Sequence, residues 1–234
     1  MTKKLTIFTP TYNRGYILYE LYKSLCDQTC KDFVWIVVDD GSTDDTRKLL
    51  KTWHDEKIID IRYVYQENGG KMRAHNRGVK MCETELFVCV DSDDKLASPK
   101  AIEDNLKFWE SQKSQNFSGV ISYKEISGVI SYREISNESS QFPHEVYCSS
   151  LGRIYEKGFH GDTTLMFRTE VLRKFPFPEI DGEKFITEAY VYDQIDQEYQ
   201  LILFPYYTQK CEYRQDGYTN NIDNIKIQNP LGFM

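Results

Sequence analysis

Apolar and polar positions change period along the first hundred residues. LTIFT (Leu5 to Thr9) reads as a short strand. From Tyr16 to Gln28 the apolar residues Ile17, Leu18, Leu21, Tyr22 and Leu25 recur at helical spacing. FVWIVV (Phe33 to Val38) is a fully apolar strand, and Thr43 to Trp53 reads as a helix with Ser42 as its cap. IIDIRYVY (Ile58 to Tyr65) alternates as a strand does. Gly70 to Cys82 is a predicted helix and LFVCV (Leu86 to Val90) a fourth strand. This strand-helix alternation predicts an α/β fold, with a mainly parallel central sheet flanked by helices. Ligands of such sheets bind beyond the carboxyl ends of the strands.

The pattern changes after a helix expected over Lys100 to Gln112, introduced by Ser98-Pro99. Short strands and loops follow, implying a smaller mixed portion. SGVISYKEI (Ser118 to Ile126) is repeated at once as SGVISYREI (Ser127 to Ile135), with Lys124 and Arg133 as the difference. An odd-numbered repeat run as one straight strand would turn equivalent side chains to opposite faces. Two solutions fit: a hairpin turning at Ser127-Gly128, or one copy as strand and the other as surface loop. The duplication itself reads as recent and without function. Gly161 to Phe167 reads as a strand entering a helix over Thr169 to Lys174, and Ile186 to Gln197 as a helix. LILFPYY and QKCEYR read as two closing strands. NNIDNIKIQNPLGFM shows no clear terminal element, as expected of a shortened chain or a tail helical only in context. The organisation expected is one domain over 1–220, with a ligand-binding half (1–97) and a second half (98–220), then a tail over 221–234.

Composition narrows the class. Of 234 residues 40% are hydrophobic, with 17 Tyr and 13 Phe, which suits a globular chain. A formal net charge of −7 argues against a general nucleic-acid binder. Lys and Arg are scattered, without a membrane-binding run. The six cysteines lack CxxC spacing and read as reduced thiols. Cys26 and Cys30 are expected on a helix. The N-terminus has too short an apolar core for a signal peptide, and no run approaches the roughly 18 apolar residues of a spanning helix. A cytoplasmic protein is expected, with peripheral contact at the inner face of the membrane if its acceptor is lipid-linked.

Carboxylates gather at predicted strand ends. VDSDD (Val90 to Asp94) closes the fourth strand with three acids in four residues. Such like charges resist joint ionisation, and a divalent cation relieves them. Oxygen ligands there suit Mg2+ or Mn2+. In VVDDGSTDDT, Asp39 and Asp40 end the second strand, where they can meet a base or ribose. Asp44 and Asp45 fall in a first helical turn and suit the helix dipole. In ENGGKMRAHNRGV, Gly69-Gly70 permit close backbone approach, and Lys71 and Arg73 place positive charge at a helix start, where phosphate binds. His75 reads as structural. TPTYNRG places Tyr12 to stack on a base and Arg14 to reach a phosphate. Glu188 is the first candidate for a general base and Asp162 the second. Glu183, Asp193 and Asp196 read as surface groups.

Taken in order, TPTYNR, VVDDGSTDDT, NGGKMRAHNRGV, VDSDD, Gly161-Asp162 and EKFITEA resemble the family 2 glycosyltransferases of the GT-A, Rossmann-like fold. The resemblance covers roughly residues 3 to 220. It implies metal-dependent, inverting transfer from a nucleotide-sugar donor, commonly a UDP-sugar, to a saccharide or lipid-linked saccharide. Carried over by position, Pro10, Tyr12, Arg14 and Asp40 resemble nucleoside contacts, and Lys71 and Arg73 the basic donor-side positions. Asp91 would face the ribose, Asp93 the metal, and Glu188 would be the catalytic base. Two other readings stand beside this one: a sugar-phosphate nucleotidyltransferase, for which TPTYNRG is a poor Gly-rich loop, and a catalytically silent nucleotide-binding homologue. No GxGxxG follows the first strand, which disfavours a dehydrogenase.

Overall fold

A computed structural model describes residues 3–114, 125–135, 142, 148–211 and 214–233. The elements run β1 (Leu5–Thr11), α1 (Leu18–Cys26), β2 (Phe33–Asp39), α2 (Thr46–Glu56), β3 (Ile61–Tyr65), α3 (Lys71–Met81) and β4 (Leu86–Cys89). Then follow β5 (Lys95–Leu96), α4 (Ala101–Ser114), β6 (Glu125–Ile135), β7 (Cys148–Ser149), α5 (Leu151–Glu156), β8 (Thr163–Arg168) and α6 (Thr169–Lys174). α7 (Ala189–Glu198), β9 (Tyr199–Cys211) and α8 (Ile222–Gln228) close the order, with short 3-10 turns around α8.

One sheet carries the molecule, in the order β3-β2-β1-β4-β8-β6-β9-β5, with β7 beside β9. β3, β2, β1 and β4 are parallel. β8 is antiparallel to both β4 and β6, and β6 runs parallel to β9. Period-two alternation splits the apolar residues between two cores. Phe8, Val34, Ile36 and Val38 face one layer with residues of α3, α6 and α7. Ile7, Trp35 and Val37 face the other, with residues of α1, α2 and α4. Every residue of β1 and β2 is buried, as a strand covered on both faces requires. Tyr22, Trp35 and Trp53 stack in the second core, with the Tyr22 and Trp53 rings 4.3 Å apart.

Several sequence expectations are corrected. Ser42 does not cap α2: the helix starts at Thr46, and the Ser42 hydroxyl accepts from the Asn13 amide. Ser127-Gly128 is not a turn, because β6 runs through it, with a register shift against β9 between Ile126 and Gly128. Ser118 to Lys124 of the first copy lie outside the described residues, whereas the second copy, Ser127 to Ile135, lies within β6. LILFPYY and QKCEYR do not form two strands. Tyr199–Cys211 is one strand that passes Pro205 where the pairing with β6 slips, and such irregularities tolerate proline. Cys30 lies beyond α1, and all six thiols are free. Glu183 and Asp196 are not surface groups: Glu183 is buried and accepts from the Leu231 and Gly232 amides, and Asp196 accepts from the Leu151 and Gly152 amides at the start of α5. The segment after β9 folds back, and Phe233 stacks on Phe185. Among the described residues no helix is long and apolar enough to cross a membrane.

Candidate active site

The carboxyl ends of β1, β2 and β4 share one edge of the sheet, so the loops after them meet. Pro10 is buried in β1, opposite Val38 of β2, and Tyr12 follows β1 at 49% exposure. Asp39 and Asp40 end β2 and are buried. Asp39 accepts from the Ser42 amide and, at 2.8 Å, from the Tyr63 hydroxyl. Asp40 organises the β3–α3 loop: its carboxylate accepts from Gln66 Nε2 (2.7 Å), Asn68 Nδ2 (3.1 Å) and the amides of Gly69 (2.9 Å) and Gly70 (2.7 Å). Gly70 holds φ at +97°, and a Cβ there would stand 1.8 Å from the Lys184 carbonyl oxygen. That crossing requires glycine.

The loop so shaped starts α3 and points Lys71 into the site. Lys71 Nζ lies 2.9 Å from Asp91 Oδ1, at the end of β4, and 3.1 Å from Glu188 Oε1, just before α7. One ammonium thus joins two carboxylates from opposite halves of the chain. Burial opposes charge on Lys71, yet Asp91 and Glu188 outweigh it and hold its pKa well above the usual lysine value. Burial likewise acts to raise Asp91, but Lys71 and Arg133 together pull it below the ordinary carboxylate value. Glu188 keeps 48% of its side chain exposed, open to an incoming group.

Asp93 differs. Burial first, and then the neighbouring Asp91 charge, push its carboxyl up. Asp94 is 5% exposed, and burial pushes it up to about 7 against the pull of Arg133. Its amide donates to the Asp91 carbonyl at 3.0 Å, closing a turn over Asp91 to Asp94. Arg133 Nη2 stands 3.6 Å from Asp94 Oδ2, beyond hydrogen-bonding reach, and donates to Gln209 Oε1 at 3.1 Å. Asp162 offers its backbone carbonyl to the Arg133 amide at 3.3 Å, just before β8.

The other basic candidates are engaged within the protein. Arg14 pairs with the Asp216 carboxylate and donates to the Tyr16 hydroxyl at 2.7 Å. Arg73 donates to the carbonyls of Gly69, Glu183 and Ile180, at 2.8 to 2.9 Å, and so ties α3 to the loop before α7. Asp44 and Asp45 do not fall in the first turn of α2, which begins at Thr46 with Asp45 as the residue before it; Asp44 instead accepts from the Gly15 amide at 2.9 Å, linking the loops after β1 and β2.

Lys71, Asp91 and Glu188 are therefore brought into contact, with Asp93 beside them; Arg73 and Asp39 serve local structure. Sequence reasoning missed Arg133, although it is the single residue that distinguishes the two repeat copies. Asp216, the partner of Arg14, gave no signal beyond an Asp-Gly turn. Among the described residues no three His, Cys, Asp or Glu side chains form a cation cage.

Comparison with known proteins supplies the context. The family model described as Glycosyl transferase family 2 matches residues 6–175. An uncharacterized glycosyltransferase of Rickettsia conorii is 37% identical over 107 residues, which is 46% of this chain and 17% of that protein. A teichoic acid poly(glycerol phosphate) polymerase of Staphylococcus epidermidis is 39% identical over 100 residues, 41% of this chain and 13% of that protein. The chain thus spans less than a fifth of the length of these two relatives. Among solved structures, S. aureus TarS 1-349 in complex with UDP-GlcNAc superposes with a TM-score of 0.70 at 20% identity, over 93% of this chain and 60% of that one. The mannosyltransferase PcManGT from Pyrobaculum calidifontis, in complex with GDP-Man and Mn2+, gives 0.62 at 18% identity, over 94% and 60%.

Proposed function

The chain belongs to glycosyl transferase family 2 and has the GT-A fold, and from that premise we propose that it moves a sugar from a nucleotide-sugar donor to a hydroxyl acceptor, with inversion and with Glu188 as general base. The observation that carries this reading is the Lys71 ammonium shared by Asp91 and Glu188. It brings a strand-end acid, suited to the donor ribose, beside a half-exposed carboxylate suited to take the acceptor proton. The fold relative bound to UDP-GlcNAc supports a UDP-sugar, which Pro10, Tyr12, Arg14 and Asp40 would meet on its nucleoside side. Asp162 stands on the acceptor side. The acceptor is a saccharide, free or lipid-linked.

The residues present fit a divalent cation, Mn2+ or Mg2+. Asp93 carries a carboxyl that its surroundings push toward protonation, and no other described residue donates a hydrogen bond to it. A single carboxylate together with phosphate oxygens suits a small hard cation. Asp93 would hold it, and the cation when bound would offset charge on the departing nucleoside diphosphate. Lys71 keeps Asp91 ionised and restrains Glu188, so both carboxylates hold position while the acceptor proton moves to Glu188.

Glu188→Gln is expected to keep UDP affinity, read by calorimetry with Mn2+, and to lower sugar transfer or donor hydrolysis by about 10²-fold or more. A mutant with wild-type turnover removes Glu188 from the reaction. Equal, near-zero rates in both proteins, with binding intact, mark a silent nucleotide-binding homologue. A thermal-shift series of nucleotide sugars with and without Mn2+ identifies the base and sugar.

A further inference from the structure

We propose that Arg133, from the second copy of the nine-residue repeat, is a positioning residue that holds the acidic turn Asp91 to Asp94 in the geometry that Asp93 needs. The proposal rests on reading that turn as the donor's metal-diphosphate site.

Three observations converge on it. First, among the described residues Arg133 is the cation paired with Asp94, with side-chain exposures of 19% and 6%. Lys71 is already committed to Asp91 and Glu188. Second, the guanidinium is anchored from behind. Gln209 of β9 accepts from Arg133 Nη2 and donates through Nε2 to the Cys89 carbonyl, at 2.9 Å, where β4 ends. The Arg133 amide is tied to the Asp162 carbonyl. β4, β6, β9 and the start of β8 are thereby gathered beneath the turn. Third, the pair is not saturated: Asp94 Oδ2 and Arg133 Nε are buried without hydrogen-bond partners. Charge holds the turn, rather than a closed hydrogen-bond set: one nitrogen, Nη2, faces both Gln209 and Asp94. A planar, always-charged guanidinium anchored on Gln209 keeps that place with less freedom than a lysine ammonium.

Asp94 is the pivot, since its amide closes the turn on Asp91 and Asp93 precedes it. Without a counterion Asp94 leaves its buried place and carries Asp93 with it. Arg133→Lys makes the second copy identical to the first, SGVISYKEI, and is the conservative control.

UDP affinity is measured by calorimetry on the whole chain, without metal and with Mn2+. For Arg133→Gln the metal-free affinity stays within about twofold, and the gain on adding Mn2+ falls at least tenfold. Arg133→Lys recovers part of that gain. Should Arg133→Gln fail to fold, Arg133→Gln with Asp94→Asn removes the unpaired charge together with its counterion, so the Mn2+ gain is expected to stay within about threefold of the parent; a gain lost tenfold or more in that variant overturns the proposal. A full Mn2+ gain in the glutamine variant, with the gain lost in Asp93→Ala, makes Arg133 a support for stability alone and overturns the proposal. A larger Mn2+ gain also overturns it, because removing a cation from an unmoved turn strengthens metal binding. If Asp93→Ala keeps the gain as well, the donor-site reading itself fails.

Discussion

His75 lies one helical turn beyond Lys71 and has its edge against three rings, those of Phe8, Phe87 and Phe177, at centroid distances of 5.5, 5.3 and 5.1 Å. Burial pushes its pKa down from 6.5 to about 4. The folded chain therefore keeps the imidazole neutral at a pH where the unfolded chain binds a proton. Stability from this residue is complete above about pH 6.5 and is lost as the pH falls toward 4, by about 1.4 kcal/mol per unit. Urea unfolding at pH 7 and pH 5 checks this: His75→Phe should lose less stability than the parent over that interval. The structural role of His75 was legible because it shares its helix with apolar residues. The roles of Arg73 and Glu183 were not. A charged side chain that binds backbone carbonyls or amides of a loop more than forty residues away has the same one-letter appearance as a solvated one.

At the scale of elements, local pattern predicted helix and strand type well, and α6 matches at both ends (Thr169–Lys174). Misread boundaries came from turn residues serving the site. Ser42 and Asp44 look like helix-start chemistry, yet they bond to Asn13 and Gly15 of another loop. The expected break between the two closing strands falls at Thr208, which is buried inside β9, while Pro205 lies within the first segment; nothing local says that a slip in register lets one strand continue through both. The β3–α3 loop shows how little freedom such turns retain. Gly70→Ala must move the Lys184 backbone or abandon its φ of +97°. A cost of about 2 kcal/mol or more is expected, read from denaturant midpoints, together with weaker UDP binding because Lys71 begins at the next residue.

For the whole molecule, the parallel half and its acidic strand ends followed from the alternation of strand and helix. The order of the remaining strands did not. β8 inserts antiparallel between β4 and β6, and this depends on pairings that span from Tyr132 to Thr163 at the shortest and from Leu86 to Arg168 at the longest, which no window captures. The return of residues 214–233 was equally hidden, since Tyr218, Asn229 and Phe233 act through distant partners. Ending the chain at residue 213 should strip the Glu183 carboxylate of its two amide donors. About 2 kcal/mol of stability should be lost, with a lower midpoint in thermal unfolding and weaker UDP binding.

The clasp between Arg14 and Asp216 spans 202 positions. During synthesis Arg14 emerges from the ribosome long before its partner has been translated. The first four strands can pair while still tethered, but the mouth above them stays unlatched until the message has been read past residue 216. A nascent polypeptide stalled earlier therefore displays the acidic rim without the segment that closes on it.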